Sequence, residues 1–201
     1  MRLDHLAVAA ESLDEGRAVV EEALGLALQP GGRHAHFGTH NLLMGLEHGL
    51  YLEVIAVDPE APAPAWPRWF DLDRFHGAPR LSNWICAVDD LEAAMARSPE
   101  AGVAVDLARG DLRWRMAVPE EGVLPYDNRF PALIEWQAGG HPSARLADLG
   151  ARLTRLVVAH PEAQALRAEL SDLSDPRVVF EPGAPGLRAE IATPHGVRVL
   201  E

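Results

Sequence analysis

The stretch LDHLAVAAESLDEGRAVV, residues 3–20, runs from an alternating apolar segment into an Ala-rich amphipathic one. In RLDHLAVA, Leu3, His5, Ala7 and Ala9 share one face of an extended strand, while Asp4, Leu6 and Val8 share the other. SLDEGRAVVEEALG then reads as a helix: Ser12 or Asp14 is a candidate cap, Ala18, Val19 and Ala23 repeat at helical spacing, and Gly25 is the stop. Glycine-bearing turns at 31–32, 38 and 48–49 divide the next segment into three short strands, so the opening unit is β-α-β-β-β. The same beginning recurs at residue 81, LSNWICAVDDLEAAMARS, and at residue 153, LTRLVVAHPEAQALRAEL. Each restart is again followed by short strand candidates.

The chain is therefore expected to be α+β, built from repeated βαβββ modules: a first over 1–59, a second over 81–140 and a third, degenerate one over 150–201. Restarts about 70–80 residues apart are too widely spaced for a solenoid repeat. Residues 60–80 begin with EAPAPAWP, which cannot continue a sheet, and proceed through aromatic anchors, so they are expected to be a packed connection.

Composition narrows the function. A net charge of −12 opposes binding to nucleic acid or to an anionic membrane face. No apolar run approaches the ~20 residues needed to cross a bilayer, and no signal-peptide pattern opens the chain. One cysteine, Cys86, forbids an internal disulfide and suits a reducing cytoplasm. All 18 basic residues are arginine, as a GC-rich bacterial genome would favour, so lysine Schiff-base chemistry is excluded. No Ser-His-Asp order, phosphate loop, paired CxxC or dinucleotide glycine fingerprint is present.

A repeated βαβββ unit with a histidine in its first strand and a glutamate in its last resembles the vicinal oxygen chelate superfamily. That group contains glyoxalase I, extradiol dioxygenases, methylmalonyl-CoA epimerase and the bleomycin and fosfomycin resistance proteins. LDHLAVA, the PGGRHAHFGTHNLLMGL stretch and YLEVIAVDP are similar, more closely, to the opening of the glyoxalase-like domain family. The resemblance is strongest over 2–59, fair over 81–137 and thin after 150. It implies paired modules curled into a cup with the helices outside, a divalent cation in the cup (Mn, Fe, Ni or Zn), and a small-molecule substrate. A monomer or homodimer is expected.

Carried over residue by residue, the resemblance places His5, Glu53 and Glu135 as metal ligands. Glu53 or Glu135 becomes the base that abstracts a proton beside a polarised carbonyl. Asn83 takes the place of a second histidine, leaving the ligand set incomplete and weakening the case for a metal. The third module has Arg155 and Leu200 at the equivalent positions, so a site belongs between the first two. Strand parity supports this independently: His5 lies on a small-residue face with Ala7 and Ala9, Glu53 lies between Leu52 and Val54 and Glu135 between Ile134 and Trp136, and a carboxylate within an apolar strand is costly to bury without a cation or an arginine.

Arg33 and Asn41 in GGRHAHFGTHN, with Thr39, are candidate contacts for an anionic substrate. Arg113 and Arg115 share one face, giving either a solvated strand or an anion clamp. Trp84 and Trp136 line a pocket or fill the core. The leading expectation is a metal-dependent lyase or isomerase acting on a small, oxygen-rich metabolite. The alternative is a metal-free binding protein, with Glu53 and Glu135 meeting a cationic ligand and the tryptophans stacking on it.

Overall fold

The computed structural model describes residues 1–201. Its first unit is β1 (Arg2–Ala9), α1 (Leu13–Leu24), β2 (Gln29–His34), β3 (Thr39–Glu47) and β4 (Leu50–Val57). The second repeats that order with β5 (Arg80–Ala87), α2 (Leu91–Arg97), β6 (Val103–Arg109), β7 (Leu112–Val118) and β8 (Ala132–Ala138). The eight strands form one mixed, curled sheet in the order β2-β3-β4-β1-β5-β8-β7-β6. Antiparallel pairing of β1 with β5 joins the units at the centre, and each unit's first strand lies parallel to its last.

The central strands are buried on both faces, which explains their nearly continuous apolar runs. α1 packs on the outer face. The Ser12 hydroxyl accepts the Glu15 N–H at its start, and Gly25 ends it in the left-handed region at φ 68°. Its buried residues Gly16, Val20 and Leu24 are spaced four apart. A Cβ on Gly16 would lie 2.3 Å from Val54 Cγ1, so only glycine permits this helix-to-sheet distance.

The curl brings the edge strands β2 and β6 back together. A Cβ on Gly32 would lie 2.5 Å from Arg109 Cδ, so side chains from opposite ends of the strand order meet over the concave face.

The segment after residue 150 forms a separate four-stranded sheet: β9 (Arg152–Ala159), a short helix (Ala163–Glu169), β10 (Val178–Glu181), β11 (Gly186–Thr193) and β12 (Gly196–Leu200). Its element order matches the other units, but its strand order is β10-β9-β11-β12. The parallel neighbour of β9 is β10, which directly follows the helix, rather than the unit's last strand. The expectation of a third copy is therefore corrected: the element order recurs but the wiring does not. This sheet docks on the large one, where Leu81 N–H donates to Glu201 O and Phe180 packs edge-on against Trp84.

Candidate functional site

Within the curl lies a nook of about 20 Å³, walled by His5, Asn41, Tyr51, Glu53, Arg109 and Trp136, among others. Position along the strands explains its polar side. Parallel pairing sets His5 level with Tyr51 and Ala7 level with Glu53. The small Ala7 leaves the carboxylate room to reach diagonally to the imidazole, and Glu53 Oε1 lies 3.6 Å from His5 Nε2. The Tyr51 ring stacks on the imidazole at 4.4 Å and 12°.

His5 Nδ1 donates to Asp4 Oδ1 at 2.5 Å. A register shift between Leu3 and His5 disturbs strict alternation there and leaves Asp4 buried. The other Asp4 oxygen accepts from Trp136 Nε1 at 2.9 Å and from His141 Nε2 at 3.1 Å. Burial pushes the Asp4 carboxyl up, but the His141 and His5 hydrogen bonds outweigh it and hold it well below the carboxylate range. Burial likewise opposes a charged His5. The hydrogen bond to Asp4 and the contact with Glu53 prevail and raise it to about 9. For Glu53, burial acts upward and His5 downward, with a net lowering. At neutral pH, His5 is thus an imidazolium held between two carboxylates.

The far side of Glu53 is fixed by Asn41, whose amide donates to Oε2 at 2.7 Å. Asn41 Oδ1 accepts from Gly32 N–H at 2.9 Å and from Arg109 Nη1 at 3.2 Å. Arg109 Nη1 also lies 2.9 Å from His34 Nε2. Arginine only donates, so this nitrogen accepts, and His34 carries its proton on Nδ1, facing Thr39 Oγ1 at 3.0 Å. Burial keeps His34 neutral, lowering it to about 3. Trp69 and Phe70 of the connecting segment close the nook, stacked at 5.2 Å on each other, with Trp69 4.5 Å from Phe37.

Of the residues singled out by sequence, His5, Glu53, Asn41 and Trp136 meet here. Four others do not. Glu135 points to the outer face, where its carboxylate approaches Leu91 N–H at 3.4 Å and Arg115 at 3.6 Å. Ala7, two residues after His5, is level with Glu53; Ile85, two residues after Asn83, is level with Ala132. The counterpart of Glu53 is therefore Ala132. Glu135 lies three residues further on, and an odd offset reverses the face. Asn83 is fully buried, its amide has no partner, and it borders a different cavity. Arg33 is exposed and paired with Asp58 and Glu60 at the rim. Trp84 is core: its indole donates to Arg129 O at 2.8 Å. The cationic-ligand alternative thus loses Glu135 and Trp84, and the cup already holds the Arg109 guanidinium.

Sequence reading did not find Asp4, Tyr51, Arg109, Trp69 and Phe70 as site residues. Asp4 depends on the register shift, and Arg109 on the curl.

Divalent metals are common in the superfamily, but the donor set here does not fit one. Only His5 and Glu53 face each other, Ala132 replaces the second carboxylate, Asn83 borders another cavity, and Arg109 brings positive charge to the same nook. No group of three His, Cys, Asp or Glu side chains has metal-binding geometry.

A family model described as a glyoxalase-like domain matches residues 3–174. No curated protein matches the sequence. The fold is similar to that of a hypothetical protein from Staphylococcus aureus, at 14% identity over 94% of this chain and 81% of that one, with a TM-score of 0.58. It is also similar to methylmalonyl-CoA epimerase from Mycobacterium tuberculosis, at 18% identity over 71% and 91% of the two chains, TM-score 0.44. A Streptomyces coelicolor methylmalonyl-CoA epimerase in complex with 2-nitronate-propionyl-CoA gives 15% identity over 67% and 96%, TM-score 0.44. At 14% identity the likeness to the Staphylococcus aureus protein is one of fold.

Proposed function

The chain belongs to the glyoxalase-like domain family, and on that premise we propose that it moves a proton on a small, oxygen-rich metabolite, as an isomerase or lyase does, through His5 and Glu53 and without a divalent ion. The observation that carries this reading is a pair of open valences. His5 Nε2 and Glu53 Oε1, 3.6 Å apart, both border the nook, and neither makes a hydrogen bond within the protein. Their other atoms are committed to Asp4 and Asn41, which fixes both groups in orientation.

The charges suit the task. The ionised Glu53 accepts a proton, and the protonated His5 donates a hydrogen bond to a carbonyl oxygen. A carbonyl against Nε2 is polarised, and a hydrogen on the adjoining carbon comes within reach of Oε1. Arg109 supplies fixed positive charge for the oxyanion that develops. A nook of about 20 Å³ holds roughly one water. Productive binding therefore requires Trp69 and Phe70 to move aside, or admits only a single substrate oxygen.

The test is hydrogen exchange in D2O, followed by NMR on small 2-hydroxy and 2-keto acids in the presence of EDTA. Exchange at the carbon beside the carbonyl is expected, undiminished by EDTA and lost in Glu53→Gln. Exchange that EDTA abolishes would restore a metal, and no exchange with any of these acids would overturn the proton-transfer reading.

A further inference from the structure

A second cavity, of about 620 Å³, opens where β5 begins. It lies between the connecting segment, the turn that precedes β8 and the face of the second sheet, and Phe70 walls both this cavity and the His5 nook. Its volume falls within the ~300–1,000 Å³ typical of small-molecule sites.

Several charges around it are paired. Asp71 is taken by Arg74 at 2.6 Å, Glu181 by Arg155 at 2.7 Å and Arg188 by Glu190 at 2.8 Å, while the Asp127 carboxylate lies 3.2 Å from the His160 ring. Arg80 and Arg129 are different: neither has a carboxylate within ion-pair distance, in a chain with 30 acidic residues against 18 basic ones. Backbone carbonyls aim them instead. Arg80 Nη1 donates to His76 O at 3.0 Å and Ala78 O at 3.3 Å, and its guanidinium sits 4.2 Å from the Phe75 ring centre. Arg129 Nε donates to Asp127 O at 3.0 Å. Both terminal nitrogens of Arg129, and Nη2 of Arg80, are left without a protein acceptor. Burial lowers the Arg129 pKa; Asp127 opposes this and Arg80 adds to it. Glu201 and Asp127 border the same cavity as well, and neither comes within ion-pair distance of Arg80 or Arg129.

The backbone gives a second observation. Phe70, Asp71, Tyr126, Asp127 and Asn128 are the non-glycine residues with positive φ, between 54° and 65°. Four of the five line this cavity. Asp and Asn tolerate the left-handed region, but Phe and Tyr do not enter it without cost, and such strain gathers where a ligand site needs a fixed shape. The turn at 126–128 is what delivers Arg129 to the cavity. Asn83, with both amide atoms unpartnered, borders the same space.

We propose that this cavity is an anion site in which Arg129 and Arg80 clamp the carboxylate or phosphate group of a small organic acid or ester, with the second sheet forming part of the wall. The site gives the segment after residue 150 a role the paired units lack. It does not depend on the chemistry assigned to His5 and Glu53. Two convergent guanidiniums present several N–H donors in fixed planes, which suits a multidentate oxyanion.

The test is calorimetric titration of the full chain with inorganic pyrophosphate and, separately, with malonate, at low ionic strength. At least one probe is expected to bind, and whichever binds more tightly identifies the headgroup class. Arg129→Gln and Arg80→Gln should each weaken binding by roughly tenfold or more. Arg145→Gln, which removes an exposed partner of Asp111, should leave it unchanged. Phenylglyoxal labelling of the unmodified chain, mapped by mass spectrometry, gives a readout that survives misfolding of a variant. The bound probe should slow modification of Arg80 and Arg129 selectively. The proposal is overturned if neither probe binds at about 10 mM, if both variants bind as the parent does, or if labelling of the two arginines is not slowed.

Discussion

His5 Nε2 stands 3.6 Å from Glu53 Oε1, while His5 Nδ1 rests on Asp4 at 2.5 Å, so a single imidazole bridges carboxylates from two neighbouring strands. All three side chains are almost wholly buried. Burial opposes a charge on this imidazole, and the two carboxylates prevail over it. The state of charge of this triad has measurable consequences.

The first concerns pH. His5 titrates near 9 in the fold against an ordinary 6.5, so its contribution is complete below 6.5 and is lost as pH rises through 9. That contribution is on the order of 3 kcal/mol. His34 has the opposite sign. Lowered to about 3, it stabilises the fold as a neutral ring above 6.5, and that term is lost as pH falls below 6.5. Urea unfolding of the parent and of His5→Gln should show a stability gap that is largest near pH 6 and shrinks towards pH 9. A gap that is independent of pH, or that widens, would contradict the imidazolium assignment.

The second concerns register. Glu135 is about a quarter exposed and lies against Arg115 at 3.6 Å on the outer face, so Glu135→Gln should change stability by only about 0.5 kcal/mol and leave the exchange activity intact. Glu53→Gln removes the partner of a buried cation and should cost about 3 kcal/mol along with the activity. Comparable activity losses in the two variants would return Glu135 to the site.

The contrast between these glutamates shows what the sequence made legible. Both sit within apolar strands after a β-α-β-β run, and nothing local distinguishes them. Glu53, like Glu135, was named from its place in the last strand of a module that resembles the superfamily's. Placing Glu135 required the β5–β8 register, where an error of three residues turns a side chain from cup to exterior. The duplicated βαβββ unit, the Gly25 stop and the core-facing His5 were written in periodicity and turn residues. The rewired third segment, the Asp4 register shift and the approach of Arg109 over Gly32 were not. They depend on which strands become neighbours and how far the sheet curls, and no short window of sequence records either.

Arg109 provides the third prediction. Its Nη1 serves both His34 Nε2 and Asn41 Oδ1, and Asn41 in turn orients Glu53. Arg109→Met keeps much of the apolar stem but leaves the His34 acceptor buried and unpaired, at a cost of about 1–3 kcal/mol. Hydrogen exchange on substrate should fall as well, because the oxyanion loses its fixed charge. A methionine variant as stable and as active as the parent would place Arg109 outside the working network.

Trp69 provides the fourth. It is 4% exposed, stacked between Phe37 and Phe70 over the nook and edge-on to His34 at 5.1 Å, yet its indole N–H is buried with no acceptor. Two opposing terms follow. Truncation to alanine removes a large buried ring, worth about 3–5 kcal/mol by comparison with other cores. It also removes an unsatisfied donor, which returns about 1–3 kcal/mol. Trp69→Ala should therefore cost nearer 2 kcal/mol in urea unfolding, below the usual figure for a core tryptophan. Trp69→Phe preserves the stack while deleting only the N–H and should be neutral or stabilising by up to about 1 kcal/mol. If the phenylalanine variant lost as much as the alanine variant, the indole nitrogen would have to be bonded in solution. The ring would then be a fixed wall rather than a cover whose donor is free to meet an incoming oxygen.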